Sequence, residues 1–162
     1  MKKWFTVKTK YNKTIITQDG EDSKRVSETF LIPAVSFTDA ELRINKEIGQ
    51  TKNSELSVQA MSVTEITDIF RSNNDEGDWW LCKIVILPEV EEGEKPAAKI
   101  KQSYMVEANS VNSASTRVAE KLNDAMFTYE ITNIALSLIV NVFHQDLDVE
   151  ISRETVDYKK SF

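Results

Sequence analysis

The chain has 162 residues, of which 41% are hydrophobic and 28% are charged, so we expect a folded protein with a core. A net charge of −6 argues against a uniformly basic nucleic-acid binder, while one cysteine and one histidine exclude an internal disulfide and a two-histidine metal site. There is no secretory apolar segment and no run long enough to span a membrane, and together with the single cysteine this favours the cytoplasm.

The first predicted elements are two strands. Apolar and polar side chains alternate from Trp4 to Tyr11, as in a strand with one buried face. A polar loop with an Asp19-Gly20 turn signal follows, and a second strand is expected from about Val26 to Ala34. A third strand, rich in β-branched residues, is expected from about Glu55.

A helix is predicted between the second and third strands. Its apolar residues recur every four positions, which is typical of a stripe packed on a sheet. These residues are Ala40, Ile44 and Ile48. Thr38, with Glu41 three positions later, is expected to cap the helix.

The same order of elements returns about 74 residues later. Phe30–Ala34 aligns with Tyr104–Ala108, and the later strand and helix residues follow in the same order. We therefore predict an α+β fold made by tandem duplication of a β-β-α-β unit, mainly antiparallel, with two helices and pseudo-two-fold packing. The first repeat is placed at residues 1–75 and the second at 76–143, in one compact domain. Residues 144–162 form a polar tail that could add an edge strand.

In the second repeat, strands are expected at Trp79–Leu87 and Lys101–Ala108, joined by an acidic loop around Glu89 to Glu94. Asn112 is expected to cap the second helix, and the last strand starts near Thr128.

Three short motifs point to a family. They are Trp4-Phe5 at the start, Ile32-Pro33-Ala34-Val35-Ser36 before the first helix, and Ile69-Phe70. With these motifs, most of residues 1–143 resembles a domain-of-unknown-function family of gut bacteria and their phages. That family has no assigned activity, so the resemblance implies a phage or mobile-element source and no catalytic residue.

No catalytic constellation is expected. His144 follows a strand without an evident partner, and Cys82 lies in an apolar strand where thiols usually serve as small buried hydrophobes. The acidic loop lacks the geometry of a metal site, and no glycine-rich phosphate loop occurs. We therefore expect a protein that is not an enzyme and that has neither a metal nor a cofactor.

Basic and aromatic residues are interleaved on the first strand. Lysines with aromatic rings on a sheet are typical of single-stranded nucleic-acid binding, although a buried aromatic core with solvated lysines gives the same pattern. The residues concerned are Lys3, Trp4, Lys8, Lys10 and Tyr11.

Two further pairs are candidate binding residues. Arg43 and Arg117 occupy equivalent helix positions and could hold a small anionic, nucleotide-like ligand, or simply pair with neighbouring acids. Trp79 and Trp80 point to opposite faces of one strand, so one of them could anchor a protein interface.

The leading functional prediction is a non-enzymatic binding protein of phage or mobile-element type that acts through a protein–protein interface or self-association. Single-stranded nucleic-acid binding and sequestration of a small anion are the alternatives. No membrane partner is expected.

Overall fold

Residues 2–49, 56–72, 77–95 and 98–143 are described by the computed structural model of the chain. They form an α+β fold with two α-helices and two four-stranded sheets, which confirms the α+β class and the two helices of the prediction. The chain divides into a first unit, Met1–Thr64 with Ile139–Phe162, and a second unit, Glu65–Leu138. Within the described ranges, neither helix has the length and apolar content needed to cross a membrane.

The first unit holds one sheet and one helix. Its elements are β1 (Lys3–Thr17), β2 (Gly20–Ala34), α1 (Phe37–Ile44), a π-helical turn (Asn45–Gly49), β3 (Ser57–Thr64) and β8 (Ile139–Val142). The sheet has the order β3-β1-β2-β8. β1 is antiparallel to both β2 and β3, whereas β8 is parallel to β2.

The core of the first unit lies between α1 and one face of the sheet. The alternation predicted for β1 is confirmed, because Phe5, Val7, Thr9 and Tyr11 are all buried. The helix contributes its predicted four-residue stripe. The main core residues are Phe5, Val7, Phe30, Ile32, Ala34, Ala40, Ile44 and Ile48.

The second unit has the same plan. Its elements are β4 (Asp68–Phe70), β5 (Asp78–Leu87), β6 (Ile100–Ala108), α2 (Val111–Lys121) and β7 (Thr128–Leu136). The sheet has the order β4-β6-β5-β7, and its one parallel pair is β4 with β6. Its core contains Phe70, Cys82, Ile84, Tyr104, Val106, Ala108, Ala114 and Val118.

Both helices start at a serine. The Oγ atoms of Ser36 and Ser110 accept hydrogen bonds from the backbone N–H groups of Asp39 and Ser113, each at 3.1 Å. The predicted caps, Thr38 and Asn112, were therefore wrong by two residues. In both cases the serine is the last residue with extended backbone before the helix. Its side chain therefore accepts a hydrogen bond from a backbone N–H group in the first turn.

The short strands β4 and β8 join sheets that do not contain the strands before them. β4 follows β3 in sequence but pairs with β6, and β8 follows β7 but pairs with β2. The contact-based units therefore divide after Thr64 and after Leu138. The repeat boundary at residue 75 describes sequence similarity, and it stays a prediction. The tail at residues 144–162, with His144 and the suggested edge strand, lies outside the described residues.

Candidate functional site

The basic-aromatic strand separates into buried rings and exposed cations. Trp4 is 7% exposed and Tyr11 is 1% exposed, whereas Lys3, Lys8 and Lys10 are all exposed. These two rings therefore offer no open face on which bases could stack, and that part of the nucleic-acid hypothesis is corrected. The lysines can still supply charge to a polyanion, so binding of single-stranded nucleic acid stays a prediction.

The paired tryptophans are not free interface anchors. Trp79 is 3% exposed and has the Arg71 guanidinium 5.4 Å from its ring centroid. Trp80 is half-buried against the core of the second unit, and its Nε1–H donates to the carbonyl of Ala108 at 2.9 Å. The sequence showed that these rings lie on opposite faces, but it did not show that both faces are covered.

The two arginines have different surroundings. Arg43 Nε lies 3.0 Å from Asp39 Oδ2, one helical turn away, so its charge is balanced within α1. At the equivalent position relative to Arg117 the chain has Ser113, and the contact that Arg117 makes with the described residues is a long one, 3.5 Å from its Nη1 to the carbonyl of Arg71. Each arginine belongs to a different unit. An anion site shared by the two stays a prediction.

The chemistry of the single thiol is suppressed. Cys82 is fully buried in β5, and burial raises the pKa of its thiol to about 11. A thiol in this environment is protonated at neutral pH and is a poor nucleophile. Among the described residues, no group of three or more histidine, cysteine, aspartate or glutamate side chains could hold a metal ion.

The first unit carries a two-stranded arm, residues 12–25, where the sequence predicts the polar loop of a hairpin tip. β1 pairs with β3 only from Trp4 to Lys10, and β2 pairs with β8 only from Thr29 to Leu31. Beyond these positions β1 and β2 continue as a pair up to Thr17 and Gly20. No other described strand borders this arm. Within the described residues, the backbone donors and acceptors on its two outer edges therefore have no strand partner.

The arm is exposed and has charges of both signs. All its side chains are exposed or half-buried, and Ile16 near the tip is 88% exposed. Its acidic residues, Asp19, Glu21 and Asp22, lie at the tip. Its basic residues, Lys13, Lys24 and Arg25, lie nearer the sheet. The arm therefore presents negative charge at its tip and positive charge at the end nearer the sheet.

The arm could have been recognised from the sequence. The polar residues predict only a loop at a hairpin tip, but Thr14-Ile15-Ile16-Thr17 is a β-branched run directly before the Asp19-Gly20 turn signal, which favours strands that continue to the turn. Gly20 has a φ of +117°, which a glycine adopts readily, and the Thr17 hydroxyl donates to its carbonyl at 2.9 Å. The turn thus closes a regular hairpin.

The fold and the exposed arm together define a two-sheet α+β protein with a free β-ribbon. The chain belongs to the domain of unknown function DUF4494, whose sequence model matches residues 3–145. This confirms the predicted resemblance to an uncharacterised family. No curated protein matches the chain, and no solved structure does so either.

Proposed function

We propose that this chain is a non-enzymatic binding protein that acts through a protein–protein interface, with the arm as its contact surface. The observation that carries the proposal is the continuation of β1 and β2 past all other described strands. An isolated two-stranded ribbon is only marginally stable in water. A partner that adds contacts to the arm would therefore stabilise it, and binding would order it.

The partner that fits best is an extended protein segment. Added strands bind by main-chain hydrogen bonds to an open edge and gain specificity from alternate side chains. On the arm, Ile16 would be the apolar residue that the added strand packs against. The acidic residues at the tip and the basic residues nearer the sheet would determine the direction in which the added strand runs. A phage or mobile-element role belongs to this proposal and is supported by the sequence resemblance alone.

Tandem duplication with pseudo-two-fold packing is the second part of the proposal. It is supported by the matching strand order of the two sheets and by the matching caps Ser36 and Ser110. Among the described residues, only the first unit has a two-stranded ribbon that extends beyond its neighbouring strands, since β5 stays paired with β7 up to Leu87. A specialised arm in one of two similar units is consistent with a binding role for that unit.

The test is a selection of peptides from a displayed library on the purified protein. We expect extended peptides that bind with an affinity reduced about tenfold, equal to about 1.4 kcal/mol, by Ile16→Asp. A variant in which Asn-Gly replaces residues 14–23 should keep the fold, shown by its melting temperature, and lose binding. Leu42→Asp, at an exposed position on α1, is the matched control and should bind normally. Peptides that bind the arm-shortened variant equally well would refute the proposal, and so would a selection that yields none.

Small-anion binding is a second candidate, because of a groove on the second unit. The groove has a volume of about 480 Å³, and its lining includes Lys83, Lys101, Ser103 and Thr132. Neither lysine is ion-paired within the part of the chain that the structure describes. The Thr132 hydroxyl already donates to the carbonyl of Lys83 at 3.2 Å. The two ammonium groups and the Ser103 hydroxyl are the donors that suit a phosphate-bearing ligand.

ATP and pyrophosphate are suitable probes for this groove. We expect a rise in melting temperature that disappears in the double variant Lys83→Gln, Lys101→Gln and persists in Lys24→Gln. The double variant Arg43→Gln, Arg117→Gln tests the site predicted from the sequence. No thermal shift with either probe would eliminate this candidate.

A further inference from the structure

The outer edge of β7 is long, exposed and poorly protected. β7 pairs with β5 on one side, and no described residue pairs with its other side. Its nine residues include one charged side chain, Glu130, and contain neither lysine nor proline. Natural edge strands usually carry such residues to prevent pairing with another chain.

Exposed apolar side chains lie along this edge and just beyond both of its ends. Phe127 is 36% exposed, Leu136 is 58% exposed and Leu138 is 88% exposed. The other long edge, β3, also lacks charges, but its one large exposed apolar residue is Val63. Of these two edges, β7 therefore offers a partner the larger exposed apolar surface.

The register of β7 determines which of its residues share a face. Thr132 is an extra residue relative to β5, because Ile84 pairs with Ile131 while Lys83 pairs with Asn133. Ile131 and Ile134 consequently both pack against the core of the second unit, as does Tyr129. Tyr129, Ile131 and Ile134 thus form an apolar row on one face of β7, and this row continues across the β-bulge at Thr132.

We propose that β7 pairs antiparallel with β7 of a second copy of this chain. When the two-fold axis passes between Thr132 and Asn133, the apolar row becomes self-complementary. Ile131 then faces Ile134 of the other copy, and Tyr129 faces Leu136. This match is specific to a second copy, because each apolar residue on one half of the strand meets an apolar residue from the other half.

Charge also agrees with this arrangement. Glu130 would face Ala135 of the other copy, so like charges are not placed directly opposite each other. The extra residue Thr132 lies next to the two-fold axis in both strands. Residues that face each other across the axis therefore lie on the same face of the sheet on both sides of the bulge. The two four-stranded sheets of the second units would become one continuous eight-stranded sheet.

Cysteine crosslinking tests the register. In the double variant Glu130→Cys, Ala135→Cys, we expect oxidation to give a covalent dimer, because the two positions are opposite only between copies. Within one strand these positions are too far apart for a disulfide. Each single variant is the matched control and should stay uncrosslinked, as should the parent chain, whose Cys82 is fully buried.

Sedimentation equilibrium tests the association itself. We expect the parent chain to have twice the mass of one chain at micromolar concentration, and Leu136→Asp, at an exposed position on β7, to be a monomer. Leu42→Asp, on the first unit, should remain a dimer. A monomeric parent chain would overturn the proposal, as would a dimer unaffected by Leu136→Asp or equal crosslinking in single and double variants. Because the arm lies on another unit, failure here leaves the proposed peptide binding untouched, and the reverse also holds.

Discussion

The ring of Phe143 stacks on the ring of Phe30, with centroids 5.7 Å apart and planes inclined by 25°. Phe70 stacks on Tyr104 in the second unit in the same manner, at 4.9 Å and 16°. In each case the residue at the end of a short parallel strand covers an aromatic residue of the second long strand. These stacks are therefore expected to hold the short strands in their sheets.

Truncating these rings should destabilise the protein. Phe70 is buried, and Phe70→Ala is expected to reduce the free energy of unfolding by about 3 kcal/mol. Phe143→Ala should reduce it less, by about 2 kcal/mol, because that ring is half-buried. Urea unfolding followed by circular dichroism measures both changes. Losses below about 0.5 kcal/mol in both variants would show that the stacks do not fasten the strands.

The helix caps give a second prediction. Ser36→Ala and Ser110→Ala should each reduce the free energy of unfolding by about 1 kcal/mol, because each leaves a backbone N–H without its acceptor. Thr38→Ala and Asn112→Ala are the matched controls and should change it by less than about 0.5 kcal/mol. A larger loss of stability in Thr38→Ala and Asn112→Ala than in the two serine variants would show that the caps predicted from the sequence are the right ones.

Substituting two glycines that have positive φ distinguishes the cost of backbone strain from the cost of a steric clash at the added Cβ atom. Gly77 has a φ of +127°, and a Cβ there would lie 2.7 Å from the backbone carbonyl of Ala108. Gly20 has a φ of +117°, but a Cβ there would meet nothing within 4 Å. We expect Gly20→Ala to cost about 1–2 kcal/mol from backbone strain alone, and Gly77→Ala to cost clearly more. Equal melting temperatures for the two variants would contradict this.

Alkaline pH should destabilise the fold in two steps. Burial raises the pKa of Cys82 from 9.0 to about 11, and burial together with a hydrogen bond and the charge of Glu28 raises the pKa of Tyr11 from 10.0 to about 12. The folded state thus holds these protons more tightly than the unfolded state does. The contribution of these two groups to the free energy of unfolding should be constant below about pH 9 and should be lost between about pH 9 and 12.

Two variants separate these contributions. Tyr11→Phe should flatten the decline between pH 10 and 12, and Cys82→Ala should flatten it between pH 9 and 11. Urea unfolding midpoints of the parent chain and the two variants, measured from pH 9 to 12, test these expectations. A parent chain whose stability rises from pH 9 to 12 would show that the sign is wrong.

Much of the fold could be predicted because its elements have clear local patterns. The burial of Phe5 and Val7 follows from strand alternation, and that of Ala40 and Ile44 follows from helical spacing. The roles of the aromatic residues could not be predicted in this way. Leu31 and Met105 lie on the strands between buried core residues and are themselves buried, so both faces of these sheets are covered at these positions. A sequence pattern does not distinguish an exposed tryptophan from one on such a doubly covered strand.

The short strands were also beyond local reasoning. The motifs Asp68-Ile69-Phe70 and Asn141-Val142-Phe143 are similar to each other in sequence. Which sheet a short strand joins depends on distant partners such as Tyr104 and Phe30. Neither composition nor periodicity contains that information.

The placement of β8 has a consequence for how the protein is made. The sheet of the first unit contains three strands from the beginning of the chain, but its fourth is Ile139–Val142. A ribosome must therefore translate almost the whole described chain before that sheet can be completed. Pairings between such distant segments are slow to form, because the intervening chain must first be brought together. Release of a fragment ending at residue 75 would leave β2 without β8, and β4 without β6.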